Sequence, residues 1–240
     1  MAQMKTPGVY IIEKNAFPNS VVEVATAIPA FIGHTQFARD GNKDLTGIPF
    51  RISSMAEFHS FFGFAPTLRF GIRPEDSESE DTTNDINVLF PDGSCQLTLP
   101  KTFYALYYNM LLFYANGGGP CYIVSVGDYE HDFKSIDFTN ALLALKKEQE
   151  PTLVVVPEAV YMEEGDCYKV QTAALMHCGN DMKNRFAILD VFNGYKDENG
   201  AVIKSFRENI GSNFLAYCAS YYPWINTLAT GPWTAHVLYI

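Results

Sequence analysis

Three acidic residues are the strongest candidates for chemistry in this chain, namely Asp128, Glu158 and Asp190. Each lies at or just after the end of an apolar run that is typical of a buried strand. Open α/β sheets place their active sites at the carboxyl ends of such strands. Converging carboxylates there can hold Mg²⁺ for phosphoryl chemistry or work as an acid/base pair. One hypothesis is therefore a carboxylate-dependent α/β hydrolase or phosphatase. The other, which we favour, is that these acids are structural caps and turn formers.

The remaining reactive residues predict no catalytic, cofactor-binding or metal site. The glycine run 116–119 follows a predicted helix and precedes a strand, which is the reverse of a phosphate-binding loop and indicates a helix C-cap. No GxSxG nucleophile motif is present. The five cysteines have no CxxC spacing and are expected to be buried free thiols: Cys95, Cys121, Cys167, Cys178 and Cys218.

Composition excludes further classes of function. The 240 residues include 17 basic and 27 acidic side chains, a net charge of −10, and the basic residues do not cluster. A nucleic-acid partner is therefore not expected, because phosphate binding needs clustered lysine and arginine. No apolar run reaches the ~18 residues that span a bilayer, so membrane insertion is not expected. The amino terminus lacks the apolar core of a signal peptide, which predicts synthesis in the cytoplasm.

The elements that must position these acids form an α/β pattern after residue 100. The apolar runs CYIVSV, LVVVP and FAILDV alternate with helices predicted over about 103–114, 136–147 and 168–182. A fourth helix is predicted from the spacing of Phe206, Ile210, Phe214 and Tyr217. Continuous apolar strands alternating with helices predict a mainly parallel sheet covered by helices on both faces.

The first hundred residues predict mostly strand and loop. A helix is expected to begin at the cap Ser53-Ser54 and to stop at Gly63, and a hairpin is expected around Pro91-Asp92-Gly93. We divide the chain into an amino-terminal arm (1–20), a β-rich region (21–100) with an acidic loop (75–85), an α/β core (101–225) and a tail (226–240).

The arm contains a short β-prone strand, KTPGVYIIEK, bracketed by charged residues. Such a strand pairs either with its own sheet or with the sheet edge of a neighbouring copy, where main-chain hydrogen bonds supply affinity. Hydrogen bonds of ~1 kcal/mol each become strong only through repetition in an array. The second arrangement suits a polymer.

Six blocks of the sequence, in order, resemble the amino-terminal part of a contractile tail sheath protein. They are TPGVYIIE, SVVEVATAIPAFIGHT, YYNMLLFYANGGGPCYIVSVG, LLALKKEQEPTLVVVPEAV, NRFAILDV and FRENIGSNFLAYCASYYPW. The likeness extends with gaps from about residue 6 to residue 225. It is greatest to the sheaths of phage-like extracellular contractile injection systems.

The resemblance implies a structural polymer rather than an enzyme. Sheath subunits stack around an inner tube, join a baseplate, and contract to drive the tube through a target envelope. Assembly into a phage tail or an extracellular injection particle follows. The resemblance also implies a subtilisin-like core without a catalytic role. It further implies an inter-subunit linking strand at Val9, Tyr10, Ile11 and Ile12, preceded by Pro7 and Gly8.

The chain departs from the family after Tyr221-Tyr222-Pro223-Trp224. Members of the family continue into a carboxy-terminal domain that meets the tube, whereas the last sixteen residues, INTLATGPWTAHVLYI, match nothing in it. Three explanations stay open: a fragment, a short paralogue that caps one end, or a variant that takes its missing strands from another subunit.

Overall fold

The structure is a computed structural model that describes residues 27–67, 71–74, 85–90, 93–98, 102–196, 200–225 and 227. Several predicted features lie outside these residues. They are most of the acidic loop, nearly all of the tail, and the linking strand of Pro7, Gly8, Val9, Tyr10, Ile11 and Ile12.

A sheet of six strands organises the described residues, in the order β11-β10-β9-β1-β8-β4. Five strands are parallel, and β4 joins the edge antiparallel to β8. These six strands are β1 (Pro29–Gly33), β4 (Phe50–Ile52), β8 (Cys121–Ser125), β9 (Leu153–Val155), β10 (Phe186–Asp190) and β11 (Cys218–Tyr221). The predicted α/β class with a mainly parallel sheet is confirmed.

Helices cover both faces of this sheet, because successive side chains of the strands point to opposite sides. Ala30 and Ile32 of β1 face a core that includes Phe138 of α3, whereas Phe31 between them faces a core that includes Phe58 of α1. The described α-helices are α1 (Met55–Phe62), α2 (Leu106–Ala115), α3 (Ser135–Leu145), α4 (Glu164–Met176) and α5 (Ala201–Ile210).

Short antiparallel strands make up the remainder of the sheet structure. β2 (Arg39–Asp40) pairs with β3 (Lys43–Asp44), and a three-stranded sheet has the order β5-β7-β6. Its strands are β5 (Gly71–Pro74), β6 (Asp85–Phe90) and β7 (Gly93–Thr98). The hairpin predicted around Pro91-Asp92-Gly93 is confirmed by the antiparallel pairing of β6 with β7.

The predicted helix boundaries are confirmed where a cap signal is present. Helix α1 begins after Ser54, whose hydroxyl accepts a hydrogen bond from the Glu57 N–H, and it ends at Gly63 with φ 85°. The glycine run after α2 forms the predicted turn, with Gly117 at φ 83°. The fourth predicted helix was too long. Helix α5 ends at Gly211, which adopts φ 75°, so Phe214 and Tyr217 lie beyond it.

The division predicted at residue 100 does not follow a border of the sheet. β1 lies at the centre of the parallel strands, between β8 and β9, and β4 extends the same sheet on the other side of β8. Both strands belong to the region that the sequence assigned to a separate β-rich part. The reason is that a buried strand needs neighbours on both sides, and those of β1 come from residues about ninety or more positions further on.

Candidate functional site at the carboxyl edge of the sheet

The three predicted acids lie at the same edge of the sheet but in three different environments. Asp128 follows β8, Glu158 follows β9, and Asp190 is the last residue of β10. The side chain of Asp128 is 41% exposed, that of Glu158 is fully buried, and Asp190 is half-buried. The hydrogen bonds of the described residues connect none of the three to another.

Glu158 forms a buried pair with His34. One carboxylate oxygen, Oε2, accepts from the backbone N–H of His34 at 2.9 Å and lies 2.8 Å from its ring Nδ1. The two residues are 0% and 1% exposed. They meet because β1 and β9 are parallel neighbours, so the residues just beyond their carboxyl ends reach the same place.

The second carboxylate oxygen of Glu158 caps helix α2. Oε1 accepts from the N–H of Leu106, the first residue of that helix, at 3.3 Å. The first N–H groups of a helix have no partner within it and favour a negative charge. The capping role predicted for Glu158 is therefore confirmed. Burial raises the pKa of this carboxyl, and the hydrogen bonds from His34 and Leu106 oppose that effect.

Glycine at position 33 is required for this arrangement. A Cβ atom at Gly33 would lie 2.9 Å from Cβ of Leu106 and 3.1 Å from Oε2 of Glu158. Any larger residue would push the carboxylate away from its donors. Gly33 therefore packs directly against the carboxylate of Glu158, which is fully buried.

The ring of His34 is packed among aromatic side chains. Its centroid lies 5.3 Å from that of Tyr104, 5.0 Å from Phe133 and 5.7 Å from Phe138. A carboxylate bonded to Nδ1 of an imidazole is also half of a hydrolytic triad. In the described part of the chain, however, no hydroxyl or thiol is hydrogen-bonded to Nε2 of this ring. The pair therefore fixes packing at this edge.

Asp128 stabilises an exposed turn. Its Oδ1 accepts from the N–H of Glu130 at 2.9 Å and lies 2.5 Å from Nδ1 of His131. These contacts, led by the backbone hydrogen bond, lower the pKa of the Asp128 carboxyl. The predicted capping role is confirmed here as well.

Asp190 behaves differently from the other two acids, and its predicted capping role stays a prediction among the described residues. None of them donates a hydrogen bond to its carboxylate; only its backbone oxygen accepts one, from Gln171. Burial raises the pKa of the carboxyl. Asp190 lines a groove of about 700 Å³ whose walls include Phe103, Tyr161 and Trp224.

A second buried polar cluster lies at the amino end of β10. Arg185 donates to the carbonyls of Leu145 and Glu148 at the end of α3, and its guanidinium nitrogen lies 2.9 Å from Nε2 of His177. Burial, and then the charge of Arg185, lowers the pKa of His177 to about 4. This imidazole is therefore neutral and accepts from the guanidinium.

The reactive groups of the described ranges do not form a metal site. No three side chains of His, Cys, Asp or Glu come together there in a way that could hold an ion. The cysteines Cys121, Cys167 and Cys178 are buried and free, as predicted, whereas Cys218 is free but only half-buried. Burial raises the pKa of Cys121 to about 11 and that of Cys167 and Cys178 to about 12, so these thiols are protonated.

Sequence reasoning missed His34, His131, His177 and Arg185 as partners. His34 and Glu158 are 124 positions apart, so only the pairing of β1 with β9 brings them together. His131 could have been found, because it lies three positions after Asp128 in a turn. Arg185 also carried a signal, since an arginine directly before an apolar strand must find buried acceptors.

Comparison with known proteins assigns no family to the chain. No protein-family model matches it, and no curated protein matches it either. Among the helices of the described residues, none combines the length and the apolar character needed to cross a membrane.

Proposed function

We propose that this protein is a structural subunit of a contractile tail sheath, which polymerises around an inner tube and contracts to drive the tube through a target envelope. One observation carries the proposal: each of the five parallel strands falls inside one of the sequence blocks that resemble sheath proteins. The likeness therefore covers the whole parallel part of the sheet and is not confined to one motif. On this proposal the fold is the subtilisin-like sheath core.

The packing of the body suits that role. A contracting lattice needs subunits that move as rigid blocks while their connections persist. Both faces of the sheet are covered by continuous cores, and the buried pair of His34 and Glu158 ties β1, β9 and α2 together. The partners on this proposal are other sheath subunits, an inner tube and a baseplate. The proposed location is an assembled phage tail or extracellular injection particle.

The alternative is a carboxylate-dependent α/β hydrolase or phosphatase that uses Asp128, Glu158 and Asp190. Their shared position at the carboxyl edge of the sheet favours it. Their separate bonding counts against it, because Glu158 is fully buried and Asp128 is held by a turn. Only Asp190 lines a groove and has no bonded donor for its carboxylate among the described residues.

Negative-stain microscopy tests the proposal directly. The purified full chain, carrying a gold-labelled tag, is mixed with a full-length sheath protein and a tube protein of a contractile injection system. We expect regular striated tubes that carry gold along the sheath. Tubes without gold, at a chain concentration equal to that of the sheath protein, would contradict the proposal.

Two matched variants separate the two functions. Ile11→Pro removes a main-chain donor from the proposed linking strand, and we expect it to abolish incorporation into tubes. The double variant Asp128→Asn/Asp190→Asn leaves Glu158 and its buried bonds intact, and we expect it to assemble like the wild type. A hydrolytic activity of the wild-type chain that this double variant lacks would support the enzyme instead.

A further inference from the structure

The groove beside Asp190 combines an apolar and aromatic lining with a charged residue. It is about 700 Å³ in volume and is lined mostly by apolar and aromatic side chains. Among the described residues that line it, Asp190 is the only charged one. A half-buried carboxylate that has no donor among these residues is stabilised when a cation or a donor binds to it.

The aromatic wall of the groove is built around Trp224. Its ring centroid lies 6.1 Å from that of Tyr161 and 5.3 Å from that of Tyr195. Phe103 continues the wall, 5.0 Å from Tyr161. The faces of such rings carry negative potential and attract cations, most strongly in the case of Trp.

Trp224 is held in place before any partner arrives. Its indole N–H donates to the carbonyl of Val191 at 2.9 Å, and its backbone N–H donates to the carbonyl of Gly194 at 3.1 Å. A Cβ atom at Gly194 would lie 2.5 Å from the indole nitrogen. Glycine is therefore needed at this position for the ring of Trp224 to pack against the backbone. A preformed wall loses little conformational entropy on binding.

Two exposed apolar side chains extend the groove to the surface. Tyr221 is 65% exposed and Ile225 is 84% exposed, and both line it. Large apolar side chains that lie together at the mouth of a groove mark an interaction site more often than isolated ones do. An occupant with apolar groups next to its charge therefore complements the groove.

We propose that this groove binds an arginine side chain of a partner protein, with Asp190 as the counter-charge and Trp224 as the stacking surface. Guanidinium fits both features, because it is planar, stacks on aromatic rings and bonds to a carboxylate through two parallel N–H groups. The negative net charge of −10 favours the approach of a basic segment. The assignment does not depend on the proposed function, and the partner that supplies the arginine is distinct from the sheath subunits of the proposed polymer.

Tryptophan fluorescence provides the test, since the chain has two tryptophans and one of them lies in the groove. Trp233→Phe leaves Trp224 as the only indole of the full chain. The probe is the peptide acetyl-Leu-Arg-Leu-amide, and its matched control replaces arginine with citrulline, which has the same shape and no charge. We expect saturable quenching by the arginine peptide, with an affinity at least tenfold higher than that of the citrulline peptide.

Substitutions locate the charge that the probe recognises. Asp190→Asn is expected to remove the tenfold preference for arginine. Glu208→Gln, on the exposed face of α5, changes the net charge by the same amount and should leave the preference unchanged. Equal binding of the two peptides by the wild-type groove, or a preference that survives Asp190→Asn in a folded variant, would overturn the proposal.

Discussion

Two buried histidines at opposite ends of the sheet have hydrogen-bond partners of opposite charge. His34 at the carboxyl edge pairs with an acid, Glu158, whereas His177 near the amino end of β10 pairs with a base, Arg185. The first pair can share a proton, and each carboxylate oxygen has a donor. The second pair requires a neutral imidazole, and it leaves Nδ1 of His177 and Nε of Arg185 without partners among the described residues. The pair of His34 and Glu158 is therefore the more completely hydrogen-bonded of the two.

The largest effect is expected from breaking the first pair. Glu158→Leu leaves three buried donors without an acceptor, namely the backbone N–H groups of His34 and Leu106 and the ring of His34. We expect a loss of about 3–5 kcal/mol in the free energy of unfolding, measured by urea denaturation. Glu208→Leu on the surface is the control and should change stability by less than about 0.5 kcal/mol. A cost for Glu158→Leu as small as that of the control would refute the role given to the pair.

Breaking the second pair is expected to cost less. Arg185→Met keeps the aliphatic stem but removes the donors to Leu145, Glu148 and His177. This cluster already contains two buried nitrogen atoms without a described hydrogen-bond partner, so it contributes less to stability than the first pair. We expect a loss of about 2–3 kcal/mol in the free energy of unfolding. The same urea series measures it. A larger loss of unfolding free energy for Arg185→Met than for Glu158→Leu would contradict the expectation that the pair of His34 and Glu158 contributes more to stability.

The response to pH sharpens the comparison. The pKa of His177 is about 4 in the folded protein, against an ordinary value of 6.5. Between these values the unfolded chain binds more protons, so stability falls as pH is lowered from about 6.5 towards 4. His177→Gln keeps an acceptor for Arg185 without titrating. We expect the stability lost between pH 7 and pH 5 to be about 1–2 kcal/mol smaller in this variant than in the wild type.

The smallest effect is expected at the exposed acid of the same edge. Asp128→Asn weakens a contact with His131 in which the two side chains are 41% and 65% exposed. Such pairs contribute little, because water and salt screen them, so the unfolding free energy should fall by less than about 1 kcal/mol. A loss comparable to that of Glu158→Leu would show that exposure does not separate the acids of this edge.

The sequence predicted most of the parallel sheet because its strands are continuous apolar runs and its helices carry periodic apolar faces. It also placed Asp128, Glu158 and Asp190 near strand ends. What it did not predict depends on contacts between distant segments. β1 was assigned to another region because its neighbours are supplied much later in the chain. The fourth helix was extended past Gly211 because the spacing of Phe214 and Tyr217 reports their packing against the core, which a turn and a short 3₁₀ segment also provide.

The roles of the acids were harder to predict than their positions. Turn capping by Asp128 is local and follows from residues within three positions of it. The hydrogen bonds of Glu158 require β1, β9 and α2 to come together in the fold. No local sequence pattern predicts that Asp190 has no donor among the described residues. Long-range polar contacts therefore decide which acid is structural and which is open to a partner.

The central place of β1 has a consequence for amide hydrogen exchange. All five of its residues are buried, and it is hydrogen-bonded to a strand on each side. No local fluctuation can free its main chain without separating the middle of the sheet. Deuterium should therefore enter at Phe31 and Ile32 only when the whole body opens, which makes these two amides a gauge of global stability.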